Sequence, residues 1–216
     1  MNLTPLIFLS LGIVFLLLYF SLLLLFKNKK ISLANSFGFE IYSTLPLEKR
    51  LLLYFMLFIF SSISSVGIWI TLNFFNSPYL IIVSILYLLG YVLIALSNII
   101  PFTFYKYHLV SYYSGTAFII VSSILIFLAK YIDGIIIDNF LIPQAFVILI
   151  MFVSLILLIF LSNPKNSSWY KLNKVSINGE TKYEKPSINY LALEEWLTLG
   201  LLGIVNSLFI FLSLMM

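Results

Sequence analysis

Eleven of the twelve Lys and Arg residues in this chain fall in alternate connections between six long apolar runs, and that asymmetry constrains the fold more than any motif. The first basic group is Lys27, Lys29, Lys30, Lys49 and Arg50, the next connection in phase holds Lys106, and the last holds Lys165, Lys171, Lys174, Lys182 and Lys185. Lys130 alone lies on the other side. Because cytoplasmic loops carry the excess of Lys and Arg, the three basic connections are expected in the cytoplasm and both termini outside.

Composition excludes a soluble fold. A chain that is 62% hydrophobic and 9% charged, with a mean hydropathy of +1.11, has too few polar groups to cover a water-exposed surface of this size. The expected place is the cell membrane, crossed several times. A net charge of +4 would suggest nucleic acid in a soluble protein, but orientation accounts for these cations and no nucleic-acid partner is expected. The absence of Cys excludes disulfides, thiolate metal sites and a thiol nucleophile.

A spanning helix needs about 20 mainly apolar residues. The candidates are Leu6 to Phe26, Leu51 to Phe75, Tyr79 to Ile100, Leu109 to Ala129, Leu141 to Ser162 and Tyr190 to Met216. The first has no basic stretch before it and a stop-transfer cluster after it, so it is expected to remain as a span and not to be removed as a signal peptide. Backbone groups in hydrocarbon must be satisfied within the segment, and the runs lack the alternation of barrel strands, so an all-α polytopic bundle of six helices follows, a single membrane domain over 1–216. No internal duplication is visible: the connection after the first run is long and basic, and its would-be equivalent after the fourth is short and acidic.

Two inner connections carry pattern. In Ile31 to Tyr42, the residues Leu33, Phe37 and Ile41 recur at helical spacing, which predicts a short amphipathic helix on the membrane surface. In 163–189, Asn178-Gly179 separates Lys174-Val-Ser-Ile177 from Glu180-Thr-Lys-Tyr183, which reads as a two-residue hairpin, with a flexible tether as the alternative. Small residues at helical spacing, Ser61 and Ser65, Ser111 and Gly115, and Gly200, Gly203 and Ser207, predict packing faces.

The topology brings the candidate polar site to the cytoplasmic end: Asn98 near the end of the third span, His108 and Ser111 at the start of the fourth, and Glu194 and Glu195 in the early turns of the last. Asn206, three turns beyond Glu195, extends the strip inward. Ionisable groups at membrane depth are costly and are functional candidates for that reason. A simpler reading stands beside it. Carboxylates near a helix N-terminus favour its dipole, Lys182 and Lys185 lie just upstream, and Trp196 is placed like an interfacial anchor, so the Glu pair would sit at the water boundary. His108, among Tyr105, Tyr107, Tyr112 and Tyr113, would hydrogen-bond at the interface; the alternative is a pH-sensitive or substrate-contacting group.

No catalytic residue, metal or cofactor is assigned. Phe104 to His108 and the Glu pair share fragments with intramembrane prenyl-peptide proteases, but Leu199 stands where those enzymes need an Arg, the order is reversed and there is no second His. One His cannot build a His-based zinc triad, and no phosphate loop or nucleophile elbow is present.

In outline, with six helices, the Asn98 to Pro101 turn followed by His108, and Glu195 opening the last helix, the chain resembles small six-helix prokaryotic membrane families of unknown function grouped distantly with the CREST superfamily, which includes ceramidase-like hydrolases. Those hydrolases use several His with Asp and Ser around a metal. With a single His here, the resemblance implies a related bundle without the metal-hydrolase site.

The expected function is therefore a non-catalytic subunit, scaffold or sensor with membrane lipids as partners, and a membrane-protein partner or a homo-oligomer as further options. The alternative is a small-solute permease or substrate-capture subunit using a cytoplasm-facing polar site. Vitamin-capture subunits are similar in size, but they carry an Ala-based motif in the first helix, and Leu6 to Phe26 contains no Ala. An intramembrane enzyme with Glu195 as base and His108 as acid ranks last.

Overall fold

The computed structural model describes residues 3–27, 32–33, 36–100, 104–134, 145–146, 148–153, 155–157, 160, 173–177, 180–184 and 190–215. Helix α1 (Leu3–Phe26) is followed by the short α2 (Gly38–Ser43), then α3 (Leu47–Asn73), α4 (Pro78–Ile99) and α5 (Tyr105–Ile132). A shorter apolar stretch, α6 (Ile148–Leu157), precedes strands β1 (Asn173–Ile177) and β2 (Glu180–Glu184), and α7 (Tyr190–Met215) closes the order. Among the described residues, five helices contain stretches long and apolar enough to cross a membrane: Leu3–Phe26, Leu47–Asn73, Pro78–Ile99, Tyr107–Ala129 and Ala192–Met215. These are the spans of a multi-pass helical membrane protein. Of the fifth predicted run, 141–162, α6 is described and the remainder lies largely outside the described residues.

The burial pattern is that of a bundle made for lipid. Ile7, Leu11, Leu18 and Leu25 of α1 and Phe55 and Phe58 of α3 are exposed, while Ser, Thr, Tyr and Asn side chains are buried. Interior positions recur at alternate steps of four and three: Leu9, Gly12, Leu16, Tyr19 and Leu23 in α1, and Leu53, Leu57, Phe60, Ser64, Gly67 and Thr71 in α3. Helix α7 repeats the seam with Ala192, Glu195, Leu199, Leu202, Asn206, Phe209 and Ser213. This spacing presents one stripe to the neighbours, as in left-handed bundles packed at shallow angles.

Small residues set the closest crossings. A Cβ on Gly67 would lie 3.1 Å from the Leu9 backbone nitrogen, and Cβ atoms on Gly90 and Gly115 would each lie 3.0 Å from the other glycine's carbonyl oxygen. These contacts bring α1 against α3 and α4 against α5. The predicted face with Ser61 and Ser65 is buried and Ser61 reaches the Tyr91 carbonyl. The third predicted face holds only at Gly203, whose added Cβ would meet Leu16; nothing lies within 4 Å of one on Gly200, and Ser207 is exposed.

At the end away from the basic clusters, Ser77 caps α4 by accepting from the Leu80 N–H at 3.1 Å, with Pro78 opening the helix. Its hydroxyl also donates to Asp133, tying the α3–α4 turn to the end of α5. Asn76 takes the positive φ of 50° that this tight turn needs.

The first inner connection differs from expectation. Among the described residues of the predicted surface helix over 31–42, the helical ones belong to Gly38–Ser43, and Phe37, Ile41 and Tyr42 are buried. Their apolar face turns into the bundle: the Tyr42 hydroxyl is bonded to that of Tyr19, and its ring meets Tyr54 edge-on at 5.0 Å. The Phe37 N–H donates to the Glu40 carboxylate at 3.1 Å, closing the first turn. In the last connection, β1 and β2 pair antiparallel with Ile177 opposite Glu180; Asn178 and Gly179 lie outside the described residues.

Two outcomes follow from this packing. Gly115→Ala is expected to cost about 1–3 kcal/mol through overpacking, while Gly200→Ala is expected to be neutral or stabilising by helix propensity; equal thermal unfolding midpoints of the two in detergent would overturn the α4–α5 crossing. Burial, with Tyr19 and Tyr54 facing it, holds the Tyr42 phenol well above its ordinary value of 10.0. The unfolded chain then sheds this proton at a pH where the native state retains it, so the contribution is intact below about pH 10 and is lost as pH rises beyond it. Tyr42→Phe should flatten the alkaline limb of stability against pH, and an unchanged limb would refute the burial of this phenol.

Candidate functional site

The basic end of the bundle, where α1 and α4 stop and α3, α5 and α7 start, gathers most of the polar candidates. His108, in the first turn of α5, and Glu195, in the second turn of α7, form a buried pair with Nε2 2.7 Å from Oε1. His108 Nδ1 lies 2.5 Å from the Ser97 carbonyl oxygen. A carbonyl only accepts, so Nδ1 carries a hydrogen. One further proton then lies between Nε2 and Oε1, as imidazolium with carboxylate or as neutral imidazole with carboxylic acid. In either arrangement the second oxygen, Oε2, is an acceptor. That oxygen is buried and has no hydrogen-bond partner among the described residues.

Glu194 points to the same level but makes different contacts. Its Oε2 accepts from the Tyr112 hydroxyl at 3.2 Å and its Oε1 from Thr198 at 3.1 Å. Exposures of 6% for Glu194 and 2% for Glu195 turn both carboxylates into the bundle and away from its surface. Trp196 is likewise not an interfacial anchor, since it is buried and donates from Nε1 to the Ser36 carbonyl at 3.0 Å.

Ser36, Phe37 and Gly38 lie over the pair. The Phe37 ring meets the His108 ring edge-on at 5.9 Å. Gly38 fits between Asn98 and Trp196, since an added Cβ would stand 2.8 Å from Asn98 Oδ1 and 3.5 Å from Trp196 Cη2. Glu40, in the first turn of α2, holds the N–H of Phe37, whose ring lies on His108. Leu155 of α6 packs against Phe37, Tyr112 and Ala192, so α6 borders the same cluster.

The other candidates separate from the pair. Asn98 donates from Nδ2 to the Ile94 carbonyl of its own helix at 3.0 Å, and Ser111 donates to the Leu93 carbonyl at 3.0 Å, which ties α5 to α4. Asn206 belongs to a second, deeper cluster: its Nδ2 donates to Ser64 at 2.6 Å and its Oδ1 accepts from Tyr91 at 2.7 Å. The strip expected along α7 is therefore two separate clusters, because Glu195 meets α5 while Asn206 meets α3 and α4. Sequence reading passed over Ser64, Tyr91, Ser97, Thr198 and Glu40. Thr198 sits one turn after Glu194, a spacing that would have pointed to it; the others come from distant helices and leave no local sign.

Among the described residues, no three His, Asp or Glu side chains come together as a metal-binding set. A separate groove of about 280 Å³ between α3 and α4, walled by Trp69, Ile85 and Leu88, is apolar and opens on the outer face of the bundle; the hydroxyls of Ser65 and Ser84 beside it bond back to their own helices. No family model, curated protein or solved structure matches the chain.

Removing one partner of a buried pair strands the other, at a typical cost of about 3–5 kcal/mol. His108→Ala and Glu195→Ala are each expected to lose that much, and the double variant less than the sum. Chemical unfolding in detergent measures this, and additive losses would show that the two side chains do not interact.

Proposed function

We propose that this protein is a non-catalytic integral membrane protein of the cell membrane, a subunit, scaffold or sensor with six transmembrane helices and both termini outside. The observation that carries this reading is that the site's strongest groups are engaged with one another. Both His108 nitrogens, Glu195 Oε1 and Glu194 Oε2 hold α4, α5 and α7 together, and Glu194 Oε1 is taken up within α7 by Thr198. A general acid or base needs its proton within reach of a substrate, and these bonds are instead spent on joining helices.

The six-span count rests on the apolar run 141–162, and the orientation on the basic connections. Lipid contact at the basic end has specific support: Lys49, exposed at the start of α3, holds its Nζ 5.0 Å above the Phe26 ring. Such a donor suits anionic headgroups. The CREST resemblance is retained for the bundle alone. A permease or substrate-capture subunit is the second reading, favoured by one observation, the unpartnered Glu195 Oε2.

Because the chain has no Cys, any introduced thiol is the sole one. In intact cells, an impermeant thiol reagent is expected to label Asn2→Cys and Asp138→Cys and to spare Lys29→Cys and Lys171→Cys until the membrane is opened. Labelling of Lys171→Cys from outside would refute the topology. Glu195→Gln separates the functional readings: a scaffold loses thermal stability and membrane level together, whereas a variant of parental stability that has lost only a solute flux transfers the conclusion to the permease.

A further inference from the structure

Resting on the sensor form of the function proposed above, we propose that Glu195 Oε2 is the anchor of a binding site for a small cation bearing N–H donors, ammonium or a primary alkylammonium. Glu195 is 2% exposed, and in both proton arrangements of its pair with His108 this oxygen can only accept. An acceptor left unmatched at such burial costs free energy that a donor recovers. Ligand chemistry is thereby restricted to a group that donates.

The surroundings add the charge. The pair is neutral as a unit, one proton being shared between Nε2 and Oε1, so it cannot offset a neighbouring anion. Glu194 lies at the adjacent position of α7 with both oxygens accepting from hydroxyls, and Glu40 of α2 holds the N–H of Phe37, whose ring lies on His108. Local potential therefore favours a cation over a neutral donor. Aromatic rings border the pair, Phe37 on His108 and Trp196 beside Gly38, and rings of this kind attract ammonium groups. A metal ion is a poor occupant, because it needs several ligands at fixed geometry and no three His, Asp or Glu groups converge among the described residues. Both helices that supply the pair begin at the basic end, within two turns of it, so the site is shallow and not at the centre of the membrane.

The test is thermal unfolding of the purified full chain in lipid nanodiscs, titrated at constant ionic strength with the chlorides of ammonium, methylammonium, tetramethylammonium, sodium and potassium. A saturable rise in Tm is expected with ammonium and methylammonium and with none of the others, since tetramethylammonium carries charge without N–H donors. Glu40→Gln keeps an acceptor for the Phe37 N–H and removes a charge, so it should fold and shift the half-saturating concentration upward by on the order of fivefold to tenfold. An equal response to sodium or tetramethylammonium, an unshifted midpoint in Glu40→Gln, or no saturable response in the parent would overturn the proposal. The last result would mean that Oε2 is satisfied by water alone, and the scaffold reading would stand.

Discussion

Polar groups at membrane depth must find partners inside the protein, and this requirement organises the bundle around α7. In water a seryl or asparaginyl side chain can turn to solvent; in hydrocarbon the alternative is an unsatisfied group costing several kcal/mol. Helix α7 carries three such demands on one stripe, and each is met by side chains of neighbouring helices. Glu195 is met by α5 through His108, Asn206 by α3 and α4 through Ser64 and Tyr91, and Ser213 by α3 through Thr71 at 3.0 Å. Apolar packing alone would leave the rotation of α7 weakly specified, because lipid tails are as apolar as leucine. Three bonds at three depths allow one rotation and one vertical register.

The same constraint explains why glycine appears where it does. Gly12 lies where α1 passes the Ser64–Asn206 bond, and an added Cβ there would collide with both side chains. Gly38 does the same for Asn98 at the basic end. At Gly12 the missing side chain lets a polar bond form between two other helices, and at Gly38 it leaves room for the Asn98 amide, so these glycines serve polar side chains as much as the backbone approach.

Helices were legible in the sequence because hydrophobic length is a strong local signal: the observed bounds of α3, α4 and α7 fall within four residues of the predicted runs. Which faces meet was legible only in part. Ser111 and Gly115 of α5 pack against α4 as their spacing suggested, but Gly200 and Ser207 do not pack, since small residues also occur on faces turned to lipid. The end of the bundle where His108, Glu194, Glu195 and Asn98 gather followed from connectivity, which fixes depth. Partner choice did not follow, because depth says nothing about rotation, and rotation separated Asn206 from Glu195. The first inner connection misled for a related reason. Leu33, Phe37 and Ile41 give the period of an amphipathic helix, and periodicity does not distinguish a face laid on lipid from one turned into a bundle. Tyr42, with its hydroxyl on Tyr19, was the residue that could have decided it, since a tyrosine bound for the core needs a partner for its oxygen.

A buried His–Glu pair contributes little net stability compared with apolar residues of the same volume, because desolvation offsets most of the attraction. The deeper clusters of this protein show what an arrangement serving only to join helices looks like: in the Asn206 cluster the amide oxygen and nitrogen are both bonded, to Tyr91 and Ser64. The His108–Glu195 pair differs in one atom. His108 is bonded at both nitrogens and Glu195 at one oxygen, while the other oxygen is enclosed and unmatched. Joining α5 to α7 would need no second oxygen at all, since a Gln amide or a Ser hydroxyl could donate to Nε2 of a neutral ring protonated at Nδ1. The extra acceptor is therefore not accounted for by helix packing, and it lies beside Glu194 and beneath the Phe37 cover that Glu40 holds. That difference between a completed polar cluster and an incomplete one separates the part of this molecule that holds the bundle together from the part that has acceptor capacity left for something else.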